Sequence, residues 1–179
     1  MKADSTPKMI QEALRPLLGL PLSLTRRSVD LRVFHFGDIR AVEKGSVGKY
    51  ALHISGKWVL EEEDGILVRD TDLYSSLVQD HDIEPEEWDY DTYGNWQDEL
   101  LKVVFSEYDE KTRGYLRTTD PLIVENIHVD IINNVRIVFS HGYTLSLIQG
   151  TSAYEDWRLF EPESVSPHFV VLGTGIEGD

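Results

Sequence analysis

Hydrophobic and polar positions along this chain follow two periods, and the change from one to the other marks where helix gives way to strand. Between residues 6 and 18, Met9, Ile10, Ala13, Leu14, Leu17 and Leu18 recur at spacings of three and four, which places them on one face of a helix. Thr6 can cap that helix and Pro7 suits its first turn. Pro16 works against it: a proline has no backbone N–H to donate, so the helix kinks or ends there. Gly19 is a natural stop.

After Gly19 the period shortens to two. The stretch from Leu22 to Phe36 is long enough for two strands, with Leu22, Leu24 and Arg26 alternating with Ser23, Thr25 and Arg27 before Leu31-Arg32-Val33-Phe34-His35-Phe36. Residues 37–49, with three glycines and scattered charge, read as a loop. YALHI (50–54), KWVLE (57–61) and ILVRD (66–70) are three further strands, with Gly56 and Asp64-Gly65 at the turns; Asp-Gly is a strong hairpin signal. Residues 71–94 are irregular. Asn95 can cap a second helix running to about Phe105, with Asp98 and Glu99 at the positive end of its dipole and Trp96, Leu100, Val103 and Val104 sharing a face. Residues 106–121 are polar and turn-like. Strands then resume at 123–129, 135–139, 143–148, 157–160 and 168–172, with turns at Asn133-Asn134 and His141-Gly142. The pattern predicts an α+β fold of mostly antiparallel sheet in two similar strand sets, with an N-terminal and a central helix.

The two sets use the same vocabulary in the same order. DLRVFHFG, YALHI and KWVLE answer to NVRIVFSHG, YTLSLI and DWRLF, setting Arg32 against Arg136, Tyr50 against Tyr143 and Trp58 against Trp157. A duplication would explain this; so would the shared preference of short strands for β-branched and aromatic residues. The organisation expected is a single domain over 1–179. Two pseudo-repeated halves, about 20–70 and 122–172, would be joined by an acidic loop and helix at 71–121.

YALHI, the Trp-bearing strand after it, Asp72-Leu73-Tyr74, and the C-terminal WRLF-x-P and PHFVV-x-G-x-G together resemble a group of bacterial proteins without an established activity. That resemblance covers most of the chain and implies no role for any residue. In size, charge and α+β layout the chain is also similar to small acidic immunity proteins of bacterial toxin systems, which implies a basic protein as partner.

Composition narrows the field. The chain has 179 residues, 41% of them hydrophobic, and 10% aromatic, enough for one well-buried core. It has no cysteine, so thiolate metal sites, disulfides and thiol nucleophiles are excluded. The first residues carry no long apolar run of the secretory kind, and no stretch approaches the roughly 20 apolar residues of a membrane-spanning helix; a cytoplasmic protein is the expectation. Net charge is −15, unevenly placed: residues 1–60 carry +5, residues 61–99 carry −14 and residues 100–179 carry −6. An acidic chain repels phosphate polymers, so nucleic acid is not an expected partner.

The acidic middle is the candidate surface. Asp80, Asp82, Glu86, Glu87, Asp89 and Asp91 interleave with Trp88, Tyr90 and Tyr93, flanked by Tyr74 and Trp96. Rings can anchor a protein interface while carboxylates steer a basic partner towards it. The same sequence also fits a solvated loop whose rings turn inward. Asp70/Asp72, Asp80/Asp82 and Asp89/Asp91 offer oxygens to a hard cation. However, the run from Asp89 to Gly94 departs from a calcium loop at Tyr93 and Leu100, so no metal or cofactor is expected.

The remaining chemistry is sparse. His35, His53, His81, His128, His141 and His168 form no zinc spacing. Ser140-His141 is an adjacency without the strand–turn–helix elbow that presents a nucleophile. GTGIEG (173–178) has no following helix for a dinucleotide loop and reads as a flexible tail. The leading expectation is a non-catalytic binding protein. The alternative is a small hydrolase in which Asp/Glu and His35, His53 or His141 converge in a cleft between the strand sets. Self-association through strand edges stays open.

Overall fold

Pro16 decides where the first helix stops. Without a donor at that position the carbonyl of Glu12 loses its i+4 partner, and helix α1 (Thr6–Leu14) tightens into a 3-10 turn at Arg15–Leu17 instead of running to Leu18. Ser5, not Thr6, occupies the N-cap position. Ile10, Leu14 and Leu17 are fully buried. Gln11 docks the helix by donating from Nε2 to the Ile127 carbonyl at 2.7 Å and accepting from the Val129 N–H at 3.1 Å. This is a computed structural model, and it describes residues 5–75 and 94–178.

The fold is α+β and mostly antiparallel. Strands β1 (Pro21–Ser28) and β2 (Leu31–Phe36) form a hairpin. The expected loop at 37–49 contains a short two-stranded ribbon, β3 (Arg40–Val42) with β4 (Gly45–Val47). Strands β5 (Tyr50–Ile54), β6 (Lys57–Glu62) and β7 (Gly65–Arg69) lead to a 3-10 turn at Asp70–Tyr74. Helix α2 (Trp96–Leu101) is shorter than the run to Phe105 that the sequence suggests. The turn-like stretch after it holds another hairpin, β8 (Glu107–Asp109) with β9 (Gly114–Leu116), and β9 pairs with β1. Strands β10 (Leu122–Val129), β11 (Val135–Phe139), β12 (Thr144–Ile148), β13 (Glu155–Phe160), β14 (Phe169–Leu172) and β15 (Gly175–Ile176) complete the chain. The C-terminal segment read as a flexible tail thus ends in a strand; β15 pairs with β14, and the Glu177 N–H donates to the Val170 carbonyl at 3.0 Å. No helix among the described residues is long and apolar enough to cross a membrane.

The main sheet runs β15-β14-β13-β5-β2-β1-β10-β11-β12-β6-β7. Apart from β15 this order reads the same from both ends when β1 is matched with β10, β2 with β11, β5 with β12, β6 with β13 and β7 with β14. The centre is the pair Pro21–Ile123. The match extends to individual positions. Trp58 lies opposite Leu147 on β12, and Trp157 lies opposite Ile54 on β5. Leu60 faces Leu145, and Leu159 faces Leu52. Both β1–β2 and β10–β11 carry a register shift, at Leu22/Leu24 and at Val124/Asn126. Phe36 and Phe139 hold equivalent places, and their rings stack with centroids 6.3 Å apart.

One correspondence suggested by sequence fails. Arg32 and Arg136 are not equivalent: Arg32 lies opposite Ile54, and the residue at that place in the second half is Val135, opposite Leu147. An offset of one residue in a strand moves a side chain to the other face. Arg32 is accordingly buried on the core side, and Arg136 is exposed.

Each half also holds a strand of the other. β6 pairs with β12 rather than β5, and β13 pairs with β5 rather than β12. The two connections that cross over meet at buried Asp156. Its carbonyl accepts from the N–H groups of Ser55 and Gly56 at 2.9 and 2.8 Å, and its carboxylate accepts from the Gly150 N–H at 2.7 Å. A Cβ at Gly150 would sit 2.6 Å from the Asp156 carboxylate, so this close approach needs glycine. One hydrophobic core draws on both halves, with Phe34, Leu52 and Trp58 beside Ile137, Leu145 and Trp157.

Candidate functional site

The residues singled out as a binding surface, Asp80, Asp82, Glu86, Glu87, Trp88, Asp89, Tyr90, Asp91 and Tyr93, lie outside the described residues. The two ends of that segment are described. It leaves after Ser75 and returns before Trp96, and the Trp96 N–H donates to the Ser75 carbonyl at 3.0 Å, so both ends are pinned together. Tyr74 is 62% exposed and Trp96 is 47% exposed. Of the face read as Trp96, Leu100, Val103 and Val104, Val104 is buried and Leu100 packs against the core, whereas Trp96 and Val103 are exposed. The face of α2 that turns inward carries Gln97 and Leu101.

Gln97 is buried because it is fully used. Its Nε2 donates to the carbonyls of Arg69 and Asp70 at 3.2 and 2.8 Å, and its Oε1 accepts from Nε of Arg32 at 3.0 Å. Asn95 caps α2 as its sequence position suggests, accepting from the Asp98 N–H at 2.8 Å. The cap sets Asp98 in place, where Oδ1 meets Nη2 of Arg32 at 2.6 Å and Oδ2 lies 3.6 Å from Nε of Arg27. Burial pushes the Asp98 pKa up. The charge of Arg32, hydrogen bonds from Arg32 and Asn95, and the charge of Arg27 outweigh burial and hold it below the usual carboxylate value.

These groups line one wall of a cavity of about 490 Å³ between the end of the β1–β2 hairpin, α2 and the β8–β9 hairpin. Arg27, Arg32 and Arg113 supply three guanidiniums, and Asp98 supplies a carboxylate, among the described residues of its lining; Arg26, paired with Val33, turns to the other face of β1 beside His35 and His53. Tyr108 and Tyr115 form the opposite wall, with ring centroids 5.3 Å apart. Sequence reading passed over this cluster because its members span residues 27 to 115. A signal was nonetheless present: Arg27 and Arg32 flank a single hairpin within the one stretch of the chain that is net positive.

The constellation a hydrolase would need is not assembled among the described residues. His35 is buried; its Nδ1 accepts from the Gly48 N–H at 3.2 Å, leaving the proton on Nε2, which is enclosed without a partner among the described residues. Burial, then Arg26 and His53, lower its pKa to about 3. Burial also lowers His53 to about 4, against Phe160 at 4.7 Å between ring centroids. His141 pairs with Asp120 at 3.0 Å on the open surface. Ser140 does not face it: its hydroxyl accepts from the Ile123 N–H at 2.9 Å and donates to the Pro121 carbonyl at 3.3 Å. A shallow groove of about 230 Å³ brings Glu61, His128 and Asp130 together, but Asp130 is taken up by the N–H groups of Ile132 and Asn134. No group of three metal-ligating side chains occurs among the described residues. Comparison with protein-family models, with curated proteins and with solved structures finds no match for this chain.

Proposed function

We propose that this chain is a non-catalytic binding protein that presents its acidic, aromatic segment to a basic protein, in the manner of an immunity protein. The observation carrying this reading is the root of the segment. Tyr74 and Trp96 stand exposed on either side of the Ser75–Trp96 hydrogen bond, in the stretch that holds nearly all of the surplus negative charge. Exposed rings within a charged surround supply anchors and steering together. The hydrolase alternative loses support, because His35, His53 and His141 meet no carboxylate in any described cavity that could take a substrate. Cytoplasmic residence belongs to the same proposal.

The test is capture from cell extract by the immobilised full chain at low salt. Wild type should retain a basic protein that elutes as salt rises. The double substitution Tyr74→Ala/Trp96→Ala, and a separate charge reversal of Asp80, Asp82, Glu86, Glu87, Asp89 and Asp91 to Lys, should each reduce retention at least tenfold. Equal retention by wild type and both variants would remove the proposal.

We further infer that the chain is one domain whose halves, about 20–70 and 122–172, descend from a common unit. Support comes from the matching cross-strand partners of Trp58 and Trp157 and the paired register shifts in β1 and β10.

A further inference from the structure

The described residues of this acidic chain enclose a cavity of the opposite sign. We propose that the space between Arg27, Arg32, Arg113, Tyr108 and Tyr115 is a binding site for a phosphate monoester that carries a planar ring.

Charge is the first argument. Among the described residues, three guanidiniums line the cavity against one carboxylate. Arg27 and Arg32 lie directly opposite each other on β1 and β2, an arrangement that costs stability for like charges. Asp98 serves both, at 3.6 and 2.6 Å. A bound dianion would add opposite charge to all three at once. A phosphate monoester carries about −1.5 to −2 charges near neutral pH and three strong acceptor oxygens, which match the fork of N–H donors on arginine. A single carboxylate supplies about half that charge.

Rigidity is the second. Arg32 is 1% exposed and is held by Gln97 and Asp98, which are themselves fixed by backbone carbonyls and the Asn95 cap. A donor already in place loses little freedom when ligand arrives. Size and shape are the third. About 490 Å³ falls in the range of small-molecule sites. Tyr108 is 58% exposed and tilted against Tyr115, so a ring face is open for stacking.

The net charge of −15 does not forbid this, because charges more than about 8 Å away are largely screened at physiological ionic strength. A nucleic acid polymer would meet the rest of the acidic surface. A small ligand meets only the arginines.

Calorimetry of the full chain with adenosine monophosphate and with inorganic phosphate tests the assignment. Adenosine monophosphate should bind at one site, at least tenfold more tightly than inorganic phosphate. Arg113→Ala should weaken both at least tenfold, and Tyr108→Ala should weaken the nucleotide alone. Both side chains are exposed, and thermal melting of each variant confirms that it is folded. Tyr74→Ala/Trp96→Ala should bind the nucleotide like wild type, which separates this site from the protein-binding segment. No saturable heat at millimolar ligand, or undiminished binding by Arg113→Ala, overturns the proposal. Equal affinity for the two ligands overturns the ring.

Discussion

His35 is enclosed with a proton on Nε2 that meets no acceptor among the described residues. The imidazole is neutral in the folded chain because burial, Arg26 and His53 oppose a second proton and lower its pKa to about 3, against an ordinary value of 6.5. Between those values the unfolded chain binds more protons than the folded one. The stability linked to His35 is therefore fully present above about pH 6.5 and is lost as pH falls towards 3. The slope from this residue is about 1.4 kcal/mol per pH unit inside that window. His53, lowered to about 4, acts in the same direction but less, being partly exposed. Urea unfolding at pH 7.5, 6.5, 5.5 and 5.0 should show the midpoint falling with pH below 6.5, and His35→Gln should flatten that fall. An identical pH profile in the variant would mean that His35 is not the group being titrated.

At the scale of elements, α2 is short and depends on its ends. Asn95 accepts from the Asp98 N–H and also donates from Nδ2 to Oδ2 of Asp98 at 3.0 Å. Asn95→Ala should cost about 1 kcal/mol in thermal or urea unfolding, with the helix and the Arg32 anchor loosening together. A change within error would show that the cap is dispensable. This cap was legible in the sequence, as were β2, β5, β6, β11, β12 and β13, because alternation and flanking turns agree there. The helix face was not. Residue type sends Trp96 inward, yet Gln97 is the buried one, because its amide serves two carbonyls and the Arg32 guanidinium together. The ribbons β3–β4 and β8–β9 were also missed. Their strands are three residues long, too short to show a period, and Thr112 between β8 and β9 donates to Asp109 and accepts from the Ser46 N–H of β4 at 2.8 Å. The arginine cavity hid for a related reason: composition records its charge, but only tertiary pairing brings residues 27–32 to residues 98–115.

At the scale of the whole molecule the exchange of β6 and β13 governs behaviour. Trp58 and Leu60 complete the sheet of the second half, and Trp157 and Leu159 complete that of the first. Residues 1–121 and 122–179 made separately should each lack a cooperative melt, and mixing them should restore one. A fragment that melts cooperatively alone would show that the swapped strand is not required. Time during synthesis is a further consequence. Leu52 waits for Leu159, more than a hundred residues later, before its edge is closed. Until the ribosome has released residues 155–160, β5 has an open flank, so this chain is one that chaperones would meet while it is still being made.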